Sequence, residues 1–386
     1  MNSTQKDKIS DCSPKARAVQ RIWSWIRDGE LRPGDIIPTE HSLAAKLGVS
    51  RGTVRSALHE LTERGLLSAD KGCRRAVARP ERAVSETMRR AVVLLSGLEH
   101  IHIDWHQAPG HLAAIEGSAI AAIHKEGFHC LTIHPQRLGD ECLASLCDDM
   151  PAGVLIPDPF AFSPKAMEVA ERLRGQGIPV VFNADGGEFA SFDRVVSDQA
   201  KGAEQLVGAL AERGCKRLLR VWSNSSDRYW LRARDDGFSK AVGDAKLKLL
   251  PPLRIKGVIN NNDCDRDLFE SQSRLFAGFM LEAFAAKTDR PDAILATSDA
   301  EIPLVAAALR LLGAAPGADV LLAGFDNMWA RLPERKFEPS APVFTIDKKN
   351  SAIGEAMAKL VCASARGENA AEPRRVLIAP ELVFSC

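Results

Sequence analysis

The stretch from Leu31 to Val77, centred on Leu47-Gly48-Val49-Ser50-Arg51-Gly52-Thr53-Val54-Arg55, leaves the backbone little choice. Pro38-Thr39-Glu40 opens a helix with Thr39 at its N-cap, Gly48 stops it, and Ser50 caps a second helix that reaches Arg64 before Gly65 ends it. The outcome is two helices joined by a tight turn. On the second, Val54, Ala57, Leu58 and Leu61 recur at helical spacing and face inward, while Ser50, Arg51, Gly52, Thr53 and Arg55 crowd the open first turn. Free N–H groups and two arginines at a helix start suit phosphates and guanine edges. Next, Leu66 to Ala69, the turn Asp70-Lys71-Gly72, and Cys73 to Val77 read as a short β-hairpin with a basic tip. Ser13-Pro14 starts an earlier helix whose Val19, Ile22, Trp23 and Ile26 complete a three-helix core.

The ordered run Gly29-x-Leu31-x-Pro33-Gly34-Asp35-x-Ile37-Pro38-Thr39-Glu40, Leu43-Ala44, Gly48-Val49-Ser50-Arg51-x-Thr53-Val54-Arg55-x-Ala57-Leu58 and Gly65-Leu66-Leu67 resembles the winged helix-turn-helix of the GntR family of bacterial regulators. The resemblance implies a DNA reader over residues 1–77, an α+β winged helix-turn-helix. Its expected DNA contacts are Ser50, Arg51, Gly52, Thr53 and Arg55 on the recognition helix, Thr39 and His41 before it, and Lys71, Gly72 and Arg74 in the wing. Gly52 offers no side chain to a base, so specificity rests on the arginines and Thr53.

Charge agrees with this placement. Residues 1–90 hold 18 Lys/Arg against 11 Asp/Glu, while the remainder holds 33 against 39, so the overall charge of +1 hides a basic N-terminal part. Nine scattered cysteines, odd in number and without a CxxC pair, argue against a disulfide framework and a zinc ribbon and fit a reducing cytoplasm. Met1 to Asp11 lack an apolar signal core, and no window approaches 18 uncharged apolar residues, so a soluble, non-secreted, cytoplasmic and nucleoid-associated protein with no membrane contact is expected.

The segment 78–90 is charged and nearly devoid of bulky apolar residues, the composition of a linker. From Ala91, short apolar strands alternate with longer amphipathic helices, which predicts an α/β body over 91–386 with parallel sheets. The strands are read as 91–95, 130–134, 153–156, 179–182, 217–221, 293–296, 320–323 and 343–346, and the helices as 111–126, 164–176, 202–213, 228–242, 272–286, 302–312 and 352–365. So long a body suggests two lobes with a ligand cleft at the strand carboxyl ends. Val195-Val196-Ser197-Asp198-x3-Gly202-Ala203, Gly214-Cys215-Lys216-Arg217, Arg234-x-x-Gly237-Phe238, Ala293-Ile294-x3-Ser298-Asp299 and Gly324-Phe325-Asp326 are similar to the effector domain of LacI/GalR regulators, which is periplasmic-binding-protein-like. GntR-type reader plus LacI-type sensor matches the arabinose-responsive hybrid regulators.

That likeness implies a first lobe from 91 to 197 with a late return near 347–365, a second from most of 198–340, and three crossovers as hinge. It places Arg234, Ser298 and Asp326 in the effector cleft; Ser298 departs from the usual Asn and leaves the effector's identity open. Asp198 serves as ligand contact or helix cap. Trp105, Trp222 or Trp230 could stack on the apolar face of a sugar ring, with Trp230 best placed. His100, His102, His106 and His111 crowd one loop, but only Asp104 joins them, so an effector-lining loop is preferred to a metal site. No catalytic elbow, phosphate loop or zinc-protease motif is present, and neither a cofactor nor an enzyme is expected. The expectation is a dimeric repressor of double-stranded operator DNA controlled by a small molecule, a sugar or derivative. Two rivals stand beside it: a sensor that answers a protein partner, and a DNA-tethered enzyme.

Overall fold

The computed structural model describes residues 13–32, 34–69, 75–78, 86–96, 110–162, 165–223, 228–257, 265–285, 289–368 and 370–384. The chain divides into two compact units, Met1–Glu86 and Thr87–Cys386.

In the first unit, helices α1 (Pro14–Arg27), α2 (Glu40–Leu47) and α3 (Arg51–Glu63) precede strands β1 (Leu67–Ala69) and β2 (Arg75–Val77). The strands pair antiparallel, Leu67 opposite Val77 and Ala69 opposite Arg75. Val19, Ile22, Trp25, Leu43, Val54, Leu58 and Leu61 share one core. Trp23, assigned to that core from sequence, is instead 42% exposed with the Arg27 guanidinium 5.0 Å over its ring, and Trp25 fills the interior under Lys46. The face that carries Val19 and Ile22 continues through residue 25 or 26, and Trp23 lies a quarter-turn off it.

Within the stretch read as a linker lies one helical turn, α4 (Glu86–Arg89). The second unit then runs β3 (Ala91–Leu95), α5 (Gly110–Lys125), β4 (His129–Ile133), α6 (Asp140–Asp149), β5 (Gly153–Ile156), α7 (Lys165–Gly175), β6 (Val180–Phe182) and β7 (Asp193–Ser197). It crosses to α8 (Gln199–Glu212), β8 (Arg217–Trp222), α9 (Tyr229–Ala245), β9 (Lys248–Leu249), β10 (Leu253–Arg254), α10 (Arg266–Ala285), β11 (Ala293–Ala296), α11 (Ile302–Leu311), β12 (Leu321–Phe325) and β13 (Phe344–Asp347). It returns through α12 (Asn350–Ala365) and β14 (Arg375–Ile378) and ends in β15 (Glu381–Phe384).

Lobe one is a wholly parallel sheet in the order β14-β7-β6-β5-β3-β4. Both faces are covered: Val93, Leu95, Val154 and Ile156 point to one apolar cluster, Val92, Leu94 and Leu155 to the other. Lobe two has the order β10-β8-β11-β12-β13-β15, with β9 beside the start of β8 and only β15 antiparallel. Ser197–Gln199, Asp347–Asn350 and Ile378–Glu381 are the three crossings between lobes. The late return is longer than the sequence reading allowed, since β14 completes lobe one and β15 lobe two. Two helix contacts are close enough to require glycine. Gly354 of α12 rests on the Ile115 carbonyl and Ser118 Oγ of α5, and a Cβ on Gly237 of α9 would lie 2.5 Å from the Ala200 carbonyl oxygen of α8.

Candidate functional site

In the first unit the expected caps form. Thr39 Oγ1 accepts from Ser42 N at 3.3 Å, Gly48 ends α2 in the left-handed region at φ 65°, and Ser50 Oγ accepts from Thr53 N at 3.1 Å and bonds Thr53 Oγ1 at 2.8 Å. Anchoring the helix starts in this way leaves Arg51, Gly52, Arg55 and His41 exposed and Thr53 half-buried. Lys71, Gly72 and Arg74 lie outside the described residues.

Sequence reasoning missed Glu40. Its carboxylate takes a two-pronged contact from Arg55, Nε to Oε1 at 3.1 Å and Nη2 to Oε2 at 2.8 Å, and Arg75 Nη1 stands 3.7 Å away. The Arg55 hydrogen bond, then the charges of Arg55, Arg75 and Arg51, hold Glu40 below the usual carboxylate range. One carboxylate thereby ties α2, α3 and β2 and gathers three arginines on one face. Arg55 is thus pre-engaged, whereas Arg51 makes no side-chain hydrogen bond or ion pair among the described residues.

The second unit's candidate site is a cleft of about 430 Å³ between lobes and hinge, lined by His111 of α5, Asp326 and Asn327 after β12, and Asp347, Lys349 and Asn350 at a crossing. Asp326 carries the left-handed φ of 93° and Asn327 one of 50°. Lys348 Nζ lies 2.6 Å from Asp326 Oδ1. Burial would raise the Asp326 pKa, but Lys348, Arg234 and His111 together hold it well below the carboxylate range. Burial and then the Lys348 charge lower the His111 pKa against the pull of Asp326 and Asp158. Tyr229 comes across from lobe two to pack on lobe one's core, with its hydroxyl in the field of Asp185, Arg234 and Asp158.

Of the described residues assigned to this cleft from sequence, Asp326 and His111, the latter from the loop read as effector-lining, line the cavity. Arg234 is 3% exposed. Its guanidinium lies 3.7 Å over Phe325 and 4.8 Å from the Trp230 ring, donating from Nε to Gln199 Oε1 at 2.8 Å and from Nη1 to the Thr297 carbonyl at 2.6 Å. Burial brings its pKa down to about 10. Ser298 Oγ accepts from Ala300 N at 3.2 Å, and the Asp198 carboxylate accepts from Lys201 N at 3.0 Å, so each caps a helix start. Trp222 is fully buried against Phe238, not available to a ring, and Trp230 packs at the edge of the same core. Trp105, His100, His102, His106 and Asp104 lie outside the described residues. Asp158 and Lys348 carry no local sequence signal; the fold alone brings them beside His111, which the histidine-rich loop had marked.

Residues 14–77 match the profile of bacterial regulatory proteins of the gntR family, and residues 207–384 match a periplasmic binding protein-like domain. The chain joins a gntR-type reader to a periplasmic-binding-protein-like body. The reader is 45% identical over 62 residues to the arabinose metabolism transcriptional repressor of Geobacillus stearothermophilus, covering 16% of this chain and 17% of that one. A histidine utilization repressor of Klebsiella aerogenes is 34% identical over 146 residues, covering 33% of this chain and 56% of its own. The chain thus spans 17% to 56% of these relatives' lengths. The body has the fold of a LacI family regulator from Enterococcus faecium solved with bound ribose, at TM-score 0.54 and 16% identity over 76% of this chain and 98% of the other. A transcriptional regulator CelR–cellobiose complex gives TM-score 0.55 and 18% identity over 90% and 99%. The gntR-type reader and this body together have the architecture expected from sequence.

Proposed function

We propose that the protein is a sequence-specific transcription regulator, a homodimeric repressor of double-stranded operator DNA, whose affinity is set by a small molecule held between the lobes. The observation that carries this reading is one chain bearing both a capped helix with exposed Arg51 and a two-lobed cleft presenting Asp326. An effector that prefers one lobe arrangement shifts the population toward it, and in a dimer that moves the two readers off the spacing of two half-sites. Asp326 beside Lys348 can accept and donate to adjacent hydroxyls, which favours a sugar or sugar derivative as the effector class. Arabinose, cellobiose and ribose, named for relatives or bound in them, are the starting panel. The protein works in the cytoplasm, at the nucleoid, and carries no catalytic task.

The test is thermal shift with that panel, followed by operator gel shift with and without the hit. A sugar bound only by the native state raises the melting temperature with concentration, and the same sugar should weaken operator binding. A hit that leaves operator binding unchanged would remove effector control, and light scattering that finds a monomer at micromolar concentration would remove the dimer. In the reader, Arg51→Ala should cost about 1–3 kcal/mol of specific binding, as for a lost bidentate base contact. Native-like operator affinity in that variant would mean that α3 is not the recognition helix.

A further inference from the structure

The turn that presents Asp326 has two successive residues at positive φ, a conformation that Asp and Asn adopt more readily than other side-chain-bearing residues but still at a cost that the surroundings offset. Those surroundings converge on one side chain that does not line the cleft. Asp299 is 0% exposed, and its carboxylate accepts from Thr345 Oγ1 at 2.7 and 2.9 Å and from the Met328 backbone N at 2.9 Å. Thr345 Oγ1 in turn accepts from Asn327 N at 3.3 Å. A Cβ on Gly324 would collide with Asp299 Oδ1, so this carboxylate is seated directly on the β12 backbone that leads into the turn. Among the described residues, the side-chain acceptors on the backbone N–H groups of residues 327 and 328 are therefore Asp299 and a hydroxyl that Asp299 orients, while the Asn327 side chain donates separately to Asp347 Oδ2 at 3.4 Å.

We propose that Asp299 is a positioning residue, which holds the Asp326–Asn327 turn in the conformation that sets Asp326 against Lys348 and into the cleft. Its bearing on effector affinity rests on the cleft reading above; its hold on the turn does not. The ionisable groups that face Asp299 are Asp326 from the turn and Arg234 from α9, with Glu301 two residues on. Burial raises the Asp299 pKa to about 7, and burial likewise raises that of Glu301 to about 7. The ionised carboxylate accepts from Thr345 and Met328 more strongly than the acid does. The brace should therefore tighten as pH rises through about 7.

Hydrogen exchange of the full-length protein, read on peptides covering 324–331 and corrected for intrinsic rates, tests this without a ligand. Asp299→Asn should lose at least tenfold protection there while peptides from α12 stay protected. Wild-type protection in 324–331 should grow between pH 6 and 8, Asp299→Asn should be flat, and Glu301→Gln should keep the wild-type trend. Unchanged exchange in Asp299→Asn, or a surviving pH trend in it, overturns the proposal. Should Asp299→Asn fail to fold, Thr345→Val must raise exchange in the same peptides severalfold, and unchanged exchange in that variant overturns it equally. Calorimetry with D-ribose and cellobiose is the separate arm. A sugar that binds wild type should bind Asp299→Asn at least tenfold more weakly; if neither sugar binds wild type, those two sugars are excluded as effectors while the exchange result still decides the role of Asp299.

Discussion

Replacing Arg234 with alanine is expected to cost about 3–5 kcal/mol of lobe-two stability, the range for removing one charge from a buried, compensated set. The guanidinium fills the space between Phe325 and Trp230, and its loss opens a cavity there. It also strands Gln199 Oε1 and the Thr297 carbonyl without their donor and takes a compensating charge from Asp326. Arg234→Met should recover part of the loss by keeping the stacked volume. Urea unfolding followed by circular dichroism decides between this and a ligand-facing role. A cost below about 1 kcal/mol with a large loss of sugar binding would return Arg234 to the cleft, whereas the opposite pattern leaves Asp326 as the residue on which effector contact should be sought.

Gly354→Ala should be the most damaging single methyl in lobe one. At that position α12 and α5 touch backbone to backbone, so the new carbon meets the Ile115 carbonyl and the helices must part. Overpacking of this kind costs about 1–3 kcal/mol. The control lies on α8, where Gly208 is exposed and helical with nothing within 4 Å of a built Cβ. Gly208→Ala should stabilise by about 0.5–1 kcal/mol, because a helix interior favours alanine over glycine by that much. Thermal melts of the two variants should therefore move in opposite directions from wild type. A Gly354→Ala melt at or above wild type would mean that α5 and α12 do not pack as closely as described.

The reader was legible from sequence because its instructions are local. Thr39, Gly48 and Ser50 act on backbone groups within five residues, and each performs the capping task its chemistry suggests. The buried strands β3, β5 and β11 were equally clear as short apolar runs. Missed elements have weaker signatures. β14 alternates exposed with half-buried residues at a sheet edge, α6 buries only Leu143 and Leu146, and β9 and β10 are two residues each. The cleft was half legible. A motif could mark Asp326, but whether Arg234 faces a ligand or the core depends on Phe325, Trp230 and Gln199, which arrive from other elements. Lys348 and His111 meet only after two crossings of the chain.

Those crossings also order events during synthesis. The reader's core closes with Val77, so it can be complete soon after it leaves the ribosome, with the chain growing from the N-terminus. Lobe one cannot: its sheet begins at Ala91, yet β14, which pairs with β7, comes only after α8 to β13 of lobe two and then α12 have been made. Until then Arg194 to Ser197 present an unpaired parallel edge, the kind of surface that recruits other nascent strands. Translation therefore completes the first unit while lobe one still waits for residues 375–378 to cover the edge of β7.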